Sequence, residues 1–130
     1  MSDERLLTEV ALVRADFPGL EFQEHDLWAR IPVYPLRDGW GRESVEIAFR
    51  FPRDTLTEEP YGFWVRPALV LPGGGTPTNA SDAPLETGFG PGFQQFSWAP
   101  EAWRPTPEVR CGTNMRDWVR SFARRLEQVN

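Results

Sequence analysis

Residues 45–51 read Val-Glu-Ile-Ala-Phe-Arg-Phe, and this stretch decides the fold class. Its apolar residues alternate with the others, which is the pattern of a strand with one buried face. Three further segments with strand character lie at 20–22, 27–33 and 63–71, and a glycine-containing turn at 37–41 separates the second strand from the third. Because the strands follow one another with short connections, we expect an antiparallel four-stranded meander.

A helical pattern precedes the strands. Leu6, Val10 and Val13 recur at i, i+4 and i+7, and we expect Glu9 to be among the polar residues that face away from this stripe. The Phe-Pro-Gly sequence at 17–19 ends the pattern, since proline and glycine stop helices. The sequence therefore predicts an N-terminal helix.

A second helical pattern lies at the other end of the chain. Its apolar stripe consists of Met115, Trp118, Val119, Phe122 and Leu126. Thr113 is the expected N-cap, because its hydroxyl can accept from a free amide of the first turn. Between the strands and this helix, residues 72–92 are rich in Gly, Pro, Ser and Thr, which predicts a long irregular loop. The chain is therefore predicted to be an α+β domain over residues 1–130.

The composition and net charge of the chain disfavour several kinds of partner and location. The chain has 130 residues and a formal net charge of −5, which suits one domain and argues against nucleic acid as a partner. No apolar run reaches the roughly 18 residues that a membrane span needs, and the start lacks the pattern of a secretion signal. We therefore expect a cytoplasmic protein without a membrane partner. With Cys111 as the single cysteine, a disulfide within the chain and a cysteine-based metal site are excluded, and we expect no metal and no cofactor.

Four motifs occur in a fixed order after the strand that ends in Phe51-Pro52. They are Phe-Trp-Val-Arg-Pro at 63–67, three glycines at 73–75, Gln-Gln-Phe-Ser at 94–97 and Trp-Arg-Pro at 103–105. In this order the chain resembles the prokaryotic E2 families, bacterial relatives of the ubiquitin-conjugating enzymes. The resemblance implies a UBC-like fold and two partners, a ubiquitin-like protein and an E1-like adenylating enzyme.

The resemblance also implies which residues would bind the modifier or another partner. These are Asn79, Phe96, Trp98 and Trp103, of which Asn79 is the nearest counterpart of the asparagine in the E2 His-Pro-Asn motif. The physical chemistry of the three aromatic residues supports a second interpretation. Large aromatic side chains most often serve as anchors in a core or under a loop.

The chain departs from the E2 pattern at the nucleophile. No cysteine lies between Asn79 and Trp103, where an E2 enzyme would carry it, and the only histidine, His25, lies near the first strand. Cys111 is therefore the one candidate for a catalytic nucleophile, although it follows the Trp-Arg-Pro motif and has no counterpart in the family.

Local sequence gives Cys111 some support as a nucleophile. It precedes a helix N-terminus and lies between Arg110 and Arg116, and both the helix dipole and the guanidinium groups favour a thiolate. Gly112 would leave room for an extended tail to approach. The alternative is an inert thiol, since free cysteine usually behaves as a small apolar residue.

Three functions remain open at this stage. The chain could be an E2-like enzyme that carries a thioester on Cys111, or a non-catalytic E2-variant scaffold that binds the modifier. It could also be an unrelated small α+β interaction domain in which the motif order has no functional meaning.

Overall fold

The computed structural model describes residues 2–130, with side chains from Glu4 onward. The elements in chain order are α1 (Ser2–Asp16), β1 (Glu21–Phe22), β2 (Trp28–Pro35), β3 (Ser44–Arg50), β4 (Phe63–Arg66), β5 (Leu85–Thr87), β6 (Gly90–Phe96), a 3₁₀ turn (Val109–Cys111) and α2 (Met115–Leu126). Within residues 2–130 neither helix combines the length and apolar character that crossing a membrane would demand.

The strands form one antiparallel sheet of six, in the order β1-β2-β3-β4-β6-β5. Its first four strands follow sequence order, so the predicted meander is confirmed, and with one helix at each end of the chain so is the α+β class.

The predicted irregular loop at 72–92 is wrong in its second half, which contains β5 and the first residues of β6. Gly90 and Gly92 adopt positive φ angles of 105° and 90°, a conformation that glycine adopts without steric cost. The strand β6 pairs along β4, with Phe63 opposite Phe96. Gly90 and Phe93 pair with β5, and residues 94–96 pair with β4, so backbone pairing with neighbouring strands, rather than a local apolar pattern, makes this segment a strand.

Most strand ends also differ from the prediction by one or more residues, and two of these differences have a local cause. Leu27, expected inside the second strand, has a φ angle of 68°, and β2 begins one residue later. The strand predicted to reach residue 71 ends at Arg66, because the following Pro67 has no N–H to donate to the ladder.

The core lies between one face of the sheet and the two helices. Phe122 of α2 is fully buried, and its ring centroid lies 4.4 Å from that of Phe63 and 5.8 Å from that of Phe49. Val10 and Val13 of α1 belong to the same apolar cluster. The predicted stripe of α2 is confirmed, since every member is buried: Met115, Trp118, Val119, Phe122 and Leu126.

The opposite face of the sheet has a row of charges. Glu46 on β3 accepts hydrogen bonds from Arg30 on β2 and from Arg66 on β4. Burial raises the pKa of Glu46, but the hydrogen bonds from Arg66 and Arg30 outweigh it and hold the pKa below its usual range. The guanidinium of Arg66 also lies 4.2 Å from the ring centroid of Phe93, so this charge pairs with an aromatic face as well.

We predict that Phe122→Ala lowers the free energy of unfolding by about 3–5 kcal/mol, because it leaves a cavity where three aromatic rings meet. Urea denaturation followed by circular dichroism measures the change. Leu56→Ala, at an exposed leucine, serves as the control and should change stability by less than about 0.5 kcal/mol. Equal effects of the two substitutions would contradict the packing described here.

We predict that Glu46 makes stability depend on pH. Its pKa is lower in the folded chain than in the unfolded chain, so its contribution is present at neutral pH and is lost as the pH falls through the folded-state value. The stability difference between the wild type and Glu46→Gln should therefore be largest near pH 7 and shrink towards pH 3. Urea midpoints at both pH values test this, and a difference independent of pH would refute it.

Candidate functional site

Cys111 lies on a short closed loop that leads into α2. The loop is closed by two hydrogen bonds between Arg104 and Thr113, one in each direction and both 3.1 Å long. Inside it, the Cys111 N–H donates to the carbonyl oxygen of Glu108 (2.9 Å). Cys111 itself is exposed. The sequence therefore places an accessible thiol on a well-connected loop.

The space beside Gly112 is already filled. A Cβ atom at this position would lie 2.6 Å from the carbonyl oxygen of Arg104 and 2.7 Å from the amide nitrogen of Thr106. Gly112 is thus required by the close approach of the chain's own backbone. The expectation that it leaves room for an incoming tail is wrong.

Two amides at the start of α2 also have acceptors within the chain. Asn114, rather than the predicted Thr113, is the N-cap, and its side-chain oxygen accepts from the N–H of Asp117 at 3.0 Å. The Thr113 hydroxyl instead accepts from the amide of Arg104. The Met115 N–H donates to a carboxylate oxygen of Glu9 at 2.7 Å. The amides of Met115 and Asp117, two of those expected to favour a thiolate at Cys111, therefore already have acceptors.

Glu9 forms the link between the two helices. Its residue is 0% exposed, which overturns the expectation that it faces away from the core. Arg5, one turn earlier on α1, places its Nε 3.5 Å from the second carboxylate oxygen, which has no hydrogen-bond partner among the described residues. The pairing between Arg5 and Glu9 is thus electrostatic, while the hydrogen bond of Glu9 goes to α2.

Arg5 extends this link to the loops. Its guanidinium donates to the hydroxyl of Thr55 and to the carbonyl oxygen of Thr106, both at 2.6 Å. Trp103, a predicted partner-binding residue, donates from its indole nitrogen to the carbonyl oxygen of Thr55 at 2.9 Å. Arg5, Glu9, Thr55 and Trp103 together form what we call the Glu9 clamp, which joins α1, the β3–β4 connection and the loop before α2.

Trp98 is half-buried and fixed on the other side of α2. Its indole nitrogen donates to the hydroxyl of Ser121 (2.9 Å), and its carbonyl oxygen accepts from the amide of Gly62 (2.8 Å). The indole N–H and the carbonyl oxygen of Trp98 are therefore both used within the chain. The remaining exposed part of the ring is what a partner could contact.

Phe96 lies in the core. It is fully buried and stacks on Phe63, with ring centroids 5.1 Å apart and planes 4° from parallel. The predicted partner-binding role of Phe96 therefore has no surface through which to act. The second interpretation of the sequence, an aromatic anchor, describes Phe96 correctly.

Asn79 is exposed but lies at the far end of α2. The adjacent Thr78 carbonyl oxygen accepts from Arg125 near the end of α2 (2.7 Å), whereas Cys111 lies before its first residue, Met115. Arg125 lies ten residues after Met115 in the helix, which corresponds to roughly 15 Å. The structure therefore does not bring Asn79 to Cys111, and Asn79 does not take the place of an oxyanion-stabilising asparagine for that thiol.

No protein-family model, curated protein or solved structure matches this chain. The functional argument therefore rests on the chain's own geometry. Acyl transfer through Cys111 would need a base and an oxyanion donor, but His25, the only imidazole, lies exposed in the β1–β2 connection beside Asp26. Among residues 4–130, no group of three or more histidine, cysteine or acidic residues could hold a metal ion. What this region offers is a rigid surface with a single exposed thiol.

Sequence reasoning missed two buried charged residues, one at each end of α2, that join α2 to other parts of the chain. Glu9 lies three residues after Leu6 and four before Val13, so its helical position on the apolar face was visible. Arg125 is 4% exposed and donates to the carbonyl oxygens of Thr78, Gln128 and Asn130. Burial lowers its pKa. Arg125 lies seven residues after Trp118 and three after Phe122, so its position on the apolar face of α2 was visible in the same way.

We predict that Glu9→Ala destabilises the fold by about 3 kcal/mol, since it leaves Arg5 and the Met115 N–H buried without their carboxylate. Glu4→Ala, at an exposed acid of the same helix, is the matched control and should change stability by less than about 0.5 kcal/mol. Thermal and urea denaturation give both values. If Glu9→Ala changed stability as little as its control, the carboxylate of Glu9 would not be what holds α1 and α2 together.

Proposed function

We propose that this chain is the E2-like component of a bacterial ubiquitin-like modification pathway, where it binds a ubiquitin-like protein and an E1-like adenylating enzyme. The observation that carries the proposal is the order of elements. A helix, a four-stranded antiparallel meander and a closing helix occur in the order that a UBC-like fold requires, with the family-like motifs distributed along them. The β5–β6 hairpin is an addition that this pattern does not include.

Binding without transfer fits the region around Cys111 better than catalysis does. The loop lacks a neighbouring imidazole, the backbone of Arg104 and Thr106 fills the space beside Gly112, and Asn79 lies at the other end of α2. The exposed parts of Trp98 and Trp103 would form the contact with the modifier. In this role the chain resembles the cysteine-lacking E2 variants, which position a modifier for another subunit.

The exposure of Cys111 favours a second candidate function, in which the chain itself transfers the ubiquitin-like modifier. The Cys111 thiolate would attack the carbonyl carbon of the modifier's C-terminal glycyl thioester on the E1-like enzyme. The E1 thiolate would leave, and the acyl group would remain on Cys111 until an amine displaces it.

We expect the chain to bind the ubiquitin-like or E1-like protein encoded beside its gene, and to form no thioester. Isothermal titration measures the binding. A gel with and without reductant, after incubation of all three proteins with ATP, detects the adduct. The Trp103→Ala variant should weaken binding about tenfold or more if this ring is a contact, and Leu56→Ala should not.

The other outcomes distinguish the three hypotheses. A reductant-sensitive adduct that disappears in Cys111→Ala would establish the transferring enzyme and refute the scaffold. Absence of both binding and adduct would refute the whole pathway assignment and leave an unrelated interaction domain.

A further inference from the structure

Residues 86–92, which we call the hairpin tip, lie over the face of the sheet opposite the helices. Gly88 reaches β2, since a Cβ atom at this position would lie 2.4 Å from the ring of Trp28. In the sheet, β3 and β4 lie between β2 and β6. The hairpin tip therefore crosses two strands and covers the ring of Trp28.

The side chain of Arg66 joins the hairpin tip to the sheet. Its Nη1 donates to the carbonyl oxygens of Pro91 (2.9 Å) and Phe89 (3.4 Å), while its Nε and Nη2 donate to Glu46 on β3. The same guanidinium lies 4.2 Å from the ring centroid of Phe93. Phe93 is fully buried although it lies outside the core cluster. Arg66 thus fastens the hairpin tip and covers Phe93 at the same time.

The carboxylate of Glu46 orients Arg66 for this contact. Two hydrogen bonds to one carboxylate fix the plane of a guanidinium group, and here they leave Nη1 directed at the hairpin tip. Arg30 also donates to Glu46, but it has Glu21 as a second carboxylate partner. Within residues 4–130, Arg66 pairs with no other carboxylate, and Glu86, the one charged residue of the hairpin tip, forms no ion pair. Loss of the Glu46 charge would therefore leave Arg66 as a cation beside Arg30, which repels it.

The hairpin tip is only weakly tied to the core. Thr87 is its one buried residue, and its strand pairing is short, with Leu85 opposite Phe93 and Thr87 opposite Gly90. The three residues after Phe93 pair with β4 instead, and the last of them, Phe96, belongs to the core cluster. Segments with few buried apolar groups open at a lower free energy than core elements do. The hairpin tip can therefore move while the rest of β6 stays in the sheet.

We propose that the hairpin tip is a strap latched by Glu46 through Arg66, and that loss of the Glu46 charge opens it while the sheet and helices stay folded. An open strap no longer covers the ring of Trp28 or the face of Phe93. Burial raises the pKa of Glu46, but the hydrogen bonds from Arg66 and Arg30 hold it below the usual range. The strap is therefore closed at neutral pH and opens as the pH falls through the folded-state value. This device does not depend on the proposed E2-like function.

Native-state hydrogen exchange of the full chain, followed by NMR, tests the strap. The Phe89 amide reports on it, because it donates to the hydroxyl of Thr87 (3.0 Å), and the amides of α2 report on global unfolding. We expect a lower protection factor at Phe89 than in α2. Val119→Ala, in the core, should lower protection in α2 and leave Phe89 unchanged, because opening the strap does not disturb this site.

Variants of the latch should act on Phe89 directly. Glu46→Gln and Arg66→Ala should each lower its protection about tenfold or more at pH 7, since each removes a charged hydrogen-bond partner. Glu43→Gln, at an exposed acid just before β3, is the matched control and should behave like the wild type. Between pH 7 and pH 3 the wild type should lose protection at Phe89, whereas Glu46→Gln, which has no carboxylate to titrate at this position, should not.

Three results would overturn the proposal. The first is a protection factor at Phe89 that equals that of α2 and falls with it in Val119→Ala, because the hairpin tip would then open only when the whole chain unfolds. The second is unchanged protection at Phe89 in Glu46→Gln and Arg66→Ala. The third is the same pH dependence at Phe89 in the wild type and in Glu46→Gln.

Discussion

The buried carboxylate of Glu9 is the constraint on which the rest of the structure depends. It has no exposed surface and yet joins the middle of α1 to the first amide of α2. A charge in such a position is tolerated only when it is paired and hydrogen-bonded, and Arg5 together with the α2 amide supplies both conditions. The partial positive charge of the helix N-terminus adds to this stabilisation. The position of α2 relative to α1 is therefore set by polar geometry as well as by apolar packing.

This constraint also shapes the region around Cys111. Because Arg5 holds the carbonyl of Thr106 and Trp103 holds that of Thr55, the loop before α2 is fixed at several points along its length. The polar groups that could have served chemistry at a thiol are instead used to join elements. Because the amides of Cys111 and Thr113 already donate within the chain, the loop is better suited to present a surface than to stabilise a developing oxyanion, which needs unengaged donors. The same rigidity leaves the exposed portions of Trp98 and Trp103 in fixed positions, which is an advantage for recognition.

The elements with a strong local pattern could be predicted from the sequence, whereas those determined by distant partners could not. The alternation in β3 and the apolar stripe of α2 gave the correct element types because each depends on burial of one face. The strand β6 was missed because its pairing with β4 comes from a neighbour about thirty residues earlier in the chain. Among the candidate site residues, Phe96 was placed on a surface it does not reach. The separation of Asn79 from Cys111 depends on the path of the loops, which composition does not specify.

The β5–β6 hairpin is an element whose local sequence predicts one structure and whose distant contacts determine another. The composition of this part of the chain predicts an irregular loop, but here it extends the sheet and places Gly88 against Trp28. Any side chain at Gly88 would push Trp28 away, and Trp28 supports the ring of Trp64. Arg66 adds a second attachment by donating to the carbonyl oxygen of Pro91 (2.9 Å). The hairpin thus supports the ring of Trp64 through Trp28, and a change at Gly88 would reach Trp64 through two indoles packed edge to face.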